Sequence, residues 1–107
     1  MYPDQQSQLL GELKHGLTGL LGGQFAGLYL FGSRARREER ADSDVDVLVV
    51  LRGGFDYGDL IRRTSALASE LSLKYDTVVS RAFVAEDRFA AETSPFLLNV
   101  RREAVAV

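Results

Sequence analysis

The run Val45-Asp46-Val47-Leu48-Val49-Val50-Leu51 constrains this chain more than any other stretch. Apart from Asp46 it is wholly aliphatic and rich in valine, a composition that fits a pleated, packed strand better than a helix. Apolar residues at consecutive positions fall on both faces of a strand, so both faces need a cover. The run therefore predicts a central strand, closed by Gly53-Gly54. With 107 residues the chain has the size of one domain and no room for a second, so residues 1–107 are expected to form a single domain.

The flanking segments supply the cover. Leu9, Leu10, Leu13, Leu17, Leu20 and Leu21 recur at the spacing of one helical face. Asp4 after Pro3 reads as a cap or first-turn acid, and Gly22-Gly23 as the stop. Leu28 to Phe31 reads as a buried strand ending at Gly32, and the charged stretch 34–43 as a short helix beginning near Arg34. Leu60, Ile61, Thr64, Leu67, Ala68 and Leu71 trace a second helical stripe, opened by Asp56 and Asp59 in a capping-box pattern. Lys74 to Val84 alternates and is β-branched, which predicts a third strand. Ser94-Pro95 opens a short helix to about Glu103. The apolar tail Ala104 to Val107 either completes the sheet or packs against a partner. The expected fold is α/β (α+β), a small mixed sheet flanked by helices.

Composition removes several classes of function. A net charge of -2 gives no electrostatic footprint for nucleic acid or membrane as the main partner. The absence of cysteine excludes disulfides, thiolate metal sites and a cysteine nucleophile. The N-terminus lacks the basic-then-apolar pattern of a signal peptide, and no apolar run approaches the ~20 residues of a membrane helix. A cytoplasmic protein is expected. His15, the sole histidine, reads as a surface or cap residue on the first helix.

Two short patterns carry chemistry. Residues two apart on a strand share a face, so Asp44 and Asp46 stand together while Val45 and Val47 point to the core. Such a pair predicts a raised pKa in one carboxyl or a cation between them, for which Mg²⁺ is suited. The bland alternative is a polar strand entrance with Ser43 and Asp44 in a turn. Upstream, Phe31-Gly32-Ser33 ends a strand where a helix is expected. Glycine permits close approach of a phosphate, helix N-terminal amides favour anions, and the serine hydroxyl adds a donor. The alternative is an ordinary turn with Ser33 as N-cap. Together with the arginines that follow, the two patterns ask for a ligand both polyanionic and metal-bearing, as a nucleoside triphosphate is.

Gly32-Ser33, ten intervening residues and Asp44-Val45-Asp46 resemble the signature of the DNA polymerase β-like nucleotidyltransferase superfamily. The stretch LFGSRARREERADSDVDVLVVL is similar to its minimal, MNT-type branch, and KYDTVVS and SPFLLNVRREAV resemble that branch's third acidic strand and its ending. The resemblance implies the nucleotidyltransferase fold, Gly32 and Ser33 on the triphosphate, and Arg36 as a phosphate contact. It implies two Mg²⁺ ions on Asp44 and Asp46, with Asp76 as a third carboxylate that binds the catalytic metal and helps deprotonate the acceptor. Asp76 has an alternative reading as the ion-pair partner of Lys74 or an arginine. Arg37 and Arg40 read as solvated charges. The chain departs from the family at Arg37 and Ala104, where glycine is usual.

The minimal branch is typically paired with a HEPN protein as antitoxin and toxin. The resemblance thus implies Mg-dependent transfer of AMP from ATP to a tyrosine of a HEPN ribonuclease, within a hetero-oligomer. Two other expectations stand beside it: a binding module that neutralises the partner with little transfer, and a nucleotidyltransferase acting on RNA or a small molecule delivered by a separate chain.

Overall fold

The computed structural model describes residues 2–36 and 44–107. The element order is α1 (Pro3–Leu21), a single 3₁₀ turn, β1 (Phe25–Phe31), β2 (Val45–Leu51), α2 (Tyr57–Lys74), β3 (Val79–Ala85), α3 (Glu86–Ala91), α4 (Pro95–Glu103) and β4 (Val105–Ala106). The strands form one mixed sheet in the order β3-β2-β1-β4. β2 pairs parallel to β3 and antiparallel to β1, which pairs antiparallel to β4. The α/β expectation holds, and β2 is central as its composition requires.

The valine-rich strand is covered on both faces. Val45, Val47, Val49 and Leu51 are each fully buried, at 0% exposure, in a core with Leu9, Leu13 and Leu17 of α1 and Leu60 and Leu71 of α2. Leu48 and Val50 face the other way, against Leu97 and Val100 of α4 and Val84 of β3. α1 buries the row Leu9, Leu13, Leu17 and Leu21 with Leu10, and ends at Gly22 with φ 55°. Leu20, expected in that stripe, is exposed because the four-residue spacing of the row, continued to Leu21, turns it off the sheet. α2 starts as expected: the Asp56 carboxylate accepts the Asp59 backbone N–H at 2.9 Å. Among the described residues no helix is long and apolar enough to cross a membrane.

Three expectations change. β1 begins at Phe25, earlier than Leu28, through an irregularity between Phe25 and Gly27. The third strand does not run from Lys74; it begins at Val79, because α2 continues through Lys74. There Lys74 Nζ and the Tyr75 hydroxyl both donate to the Glu12 carboxylate of α1, at 2.6 and 2.5 Å. That pairing holds the end of α2 on α1 and keeps the segment out of the sheet. α3 was not foreseen. The tail does complete the sheet: Val105 and Ala106 pair with Leu30 and Tyr29, and the Val107 N–H donates to the Leu28 carbonyl. The short helix expected after β1 shows only a turn at 33–36; its remainder, with Arg37 and Arg40, lies outside the described residues.

Candidate functional site

The site lies where β1 ends and β2 begins. In the antiparallel register Phe31 stands opposite Asp46. Gly32 follows with φ 76°, a left-handed conformation that side-chain-bearing residues rarely adopt. A Cβ added there would meet Asp46 Oδ2 at 2.5 Å and Cγ at 3.3 Å. Glycine suits the position on two counts: its conformation, and the room it leaves for a carboxylate that any Cβ would displace. The chain then turns, and the Arg36 N–H donates to the Gly32 carbonyl at 3.2 Å. Ser33 sits half-buried in this turn.

Asp44 is exposed and Asp46 half-buried, and the strand alternation puts them on the face of Leu48 and Val50, with Val45 and Val47 inside the opposite core. Burial first, and then the like charge of Asp44, raise the Asp46 carboxyl above its ordinary value, while Arg34 and Arg36 oppose the rise. Two hard oxygen donors on one face, one of them destabilised in its charged form, suit a Mg²⁺ ion. Among the described residues no group of three His, Cys, Asp or Glu side chains is close enough to hold a metal.

Asp76 does not join the pair as a strand neighbour. It sits exposed in the turn between α2 and β3, with φ 50°. The parallel ladder instead sets Ser80 beside Asp46. Arg36 pairs with Glu103 of α4 at 3.1 Å.

Arg34, expected near the start of a short helix and given no role of its own, is 4% exposed. Its Nε donates to the Asp44 carbonyl at 3.2 Å, and Nη1 donates to Gln6 Oε1 of α1 at 3.3 Å. It ties the glycine turn to the start of β2 and to the first helix. Ala35 beside it packs on the α1–α2 core.

A cavity of about 460 Å³ opens beside the turn, lined by Phe31, Gly32, Arg36, Phe96, Asn99 and Glu103 among others, a volume in the range of small-molecule sites. Phe31 and Phe96 meet edge to face with centroids 5.7 Å apart. These α4 residues were missed as site residues; their signal was the helical spacing of Phe96, Asn99 and Glu103, which brings one face toward Gly32. A larger cavity of about 710 Å³ lies between α1 and α2, with His15, Glu12 and Lys74 in its wall. It contains none of the β1–β2 edge, and its Glu12–Lys74–Tyr75 contacts have a sufficient structural role.

Comparison with known proteins agrees with this fold. The family profile described as polymerase beta, nucleotidyltransferase matches residues 23–93. A candidate protein adenylyltransferase of Methanocaldococcus jannaschii is 30% identical over 84 residues, which is 78% of each chain. The crystal structure of a toxin–antitoxin with AMP-PNP is similar in fold at a TM-score of 0.61, with 18% identity over 90% of this chain and 69% of that one. A candidate minimal nucleotidyltransferase gives a TM-score of 0.55 at 25% identity, over 94% of each chain.

Proposed function

We propose that this chain, which belongs to the polymerase beta nucleotidyltransferase family, transfers AMP from ATP to a tyrosine of a partner HEPN ribonuclease and so acts as its antitoxin. Nucleotidyl transfer is the activity of the family. The observation that carries the site assignment is Asp46, one of the Asp44/Asp46 pair, packed against a glycine whose Cβ would collide with its carboxylate. The adenylyl donor and protein acceptor are supported by the name of the M. jannaschii relative. The toxin partner is supported by the toxin–antitoxin structure with AMP-PNP.

In this reading Asp44 and Asp46 hold Mg²⁺, two ions by the family resemblance. Held there, Mg²⁺ would supply neutralising charge to the phosphoryl oxygens and the leaving group. The protein's own groups do the positioning. Gly32 lets the triphosphate approach the backbone, the Ser33 hydroxyl donates to a phosphate oxygen, and Arg36 exchanges Glu103 for phosphate. Arg34 fixes the turn relative to β2, so these donors are held before substrate arrives. The base occupies the cavity walled by Phe31 and Phe96. The acceptor oxygen bonds to the α-phosphorus as the bond to the β-bridging oxygen breaks; pyrophosphate leaves and the hydroxyl proton passes to solvent.

The test replaces Asp44 and Asp46 by asparagine and follows adenylylation of the protein encoded by the adjacent reading frame. The expected outcome is loss of label with the complex intact. Label that persists would remove these two residues from the mechanism. A second reading, neutralisation by binding alone, draws on Ser80: a hydroxyl and not a carboxylate stands beside Asp46. It predicts that the double variant still silences the partner.

A further inference from the structure

β2 has two neighbours, and they bring different chemistry to Asp46. On one flank β1 delivers Phe31 opposite Asp46 and then Gly32 against its carboxylate. On the other flank β3 runs parallel with Val45 beside Val79 and Asp46 beside Ser80. Paired residues of adjacent strands lie about 4.8 Å apart and point to the same face. Ser80 is exposed, and its neighbours in β3 confirm its face: Ala82 and Val84 pack with Leu48 and Val50, whereas Val79 and Phe83 lie in the opposite core. The ladder is held at its start by the Val45 N–H, which donates to the Val78 carbonyl at 2.8 Å. Asp76 precedes that anchor, in a turn set by the Glu12 contacts of Lys74 and Tyr75.

We infer that Ser80, and not Asp76, is the third side chain of the site, and that its hydroxyl hydrogen-bonds the acceptor. The inference rests on the nucleotidyl-transfer reading of Asp44 and Asp46. The triphosphate has its donors on the β1 flank, at Gly32 and Ser33. The β3 flank is left for the incoming hydroxyl, and the group there is neutral. A serine orients an acceptor without taking its proton at neutral pH. Among the described residues the site thus has two carboxylates and a hydroxyl, with Ser80 and not a carboxylate beside Asp46 on the β3 flank.

The experiment measures Mn²⁺ and ATP affinity by calorimetry, and the transfer rate to the partner, for Ser80→Ala, Ser80→Asp, Asp76→Asn and Asp46→Asn. Ser80→Ala is expected to lower transfer about tenfold, the worth of one hydrogen bond, with ATP affinity unchanged. Ser80→Asp adds a charged oxygen ligand to the row and is expected to tighten Mn²⁺ binding about tenfold. Asp76→Asn is expected to change neither readout. Both positions are exposed, so the fold tolerates the changes. If Asp76→Asn weakens Mn²⁺ binding while Ser80→Asp leaves it unaltered, Asp76 is the third ligand and the inference is overturned. Unchanged transfer in Ser80→Ala also overturns it. Intact Mn²⁺ and ATP binding in Asp46→Asn would bring down the proposed function instead.

Discussion

The two faces of β2 differ at one end only. On the α1–α2 face Val45, Val47, Val49 and Leu51 are all buried without exception. On the α4 face Leu48 and Val50 are buried too, but the two preceding positions are Asp44 and Asp46. A strand whose one face is continuous core can carry an unfavourable carboxylate pair at the start of the other, because the packed face fixes its register. Stability and chemistry are separated by the side-chain alternation of a single strand.

Substitutions on the two faces should therefore fail differently. The largest effect is expected from Asp46→Asn in the transfer assay: a loss of about a thousandfold, from removing charge that acts in the transition state. Its thermal stability should not fall. Leu51→Ala, on the closed face, should cost about 2–5 kcal/mol by denaturant titration, as buried leucine truncations do. The fraction that remains folded should keep its rate. A matching loss of rate per folded molecule would erase the distinction between the faces.

Gly32→Ala falls between these cases. The φ of 76° and the 2.5 Å approach to Asp46 Oδ2 together predict a loss of about 1–3 kcal/mol and displacement of the carboxylate. Both readouts should drop. The smallest effect concerns pH. The Asp46 carboxyl is raised in the folded chain, by burial and by Asp44. A raised folded pKa means that its protonated form favours folding. Its contribution is therefore fully present below the unfolded value and is lost as pH rises through the folded one. In metal-free buffer Asp46→Asn should melt a few degrees higher than the parent near neutral pH, about 2–4 °C. The gap should close as pH falls toward the range in which Asp46 is protonated.

Much of this was legible in the sequence because it depends on local spacing. The continuous aliphatic run Val45 to Leu51 marked the central strand, and the two-residue period of any strand put Asp44 and Asp46 on one face. Gly22-Gly23, Asp56 and Ser94 marked helix ends through local hydrogen bonding. The rest depends on contacts between residues far apart in the chain. Asp76 was placed on a strand because Lys74 to Val84 alternates, yet Glu12, on another helix, decides where α2 ends. Arg34 looked like one arginine among four; only its carbonyl partner at Asp44 and Gln6 on α1 make it a buried clamp. Ser80 carries no motif, and its position beside Asp46 comes from β2–β3 register alone.

In the proposed function the Asp44/Asp46 edge serves transfer of a nucleotidyl group to a partner. The most direct measurement incubates the chain, Mg²⁺ and the partner with ATP labelled either at the α- or at the γ-phosphorus. Covalent label is expected on a partner tyrosine from α-labelled ATP only, and none when Asp44 and Asp46 are both asparagine. Label from the γ-position, or none from either while the partner is still silenced, would contradict it.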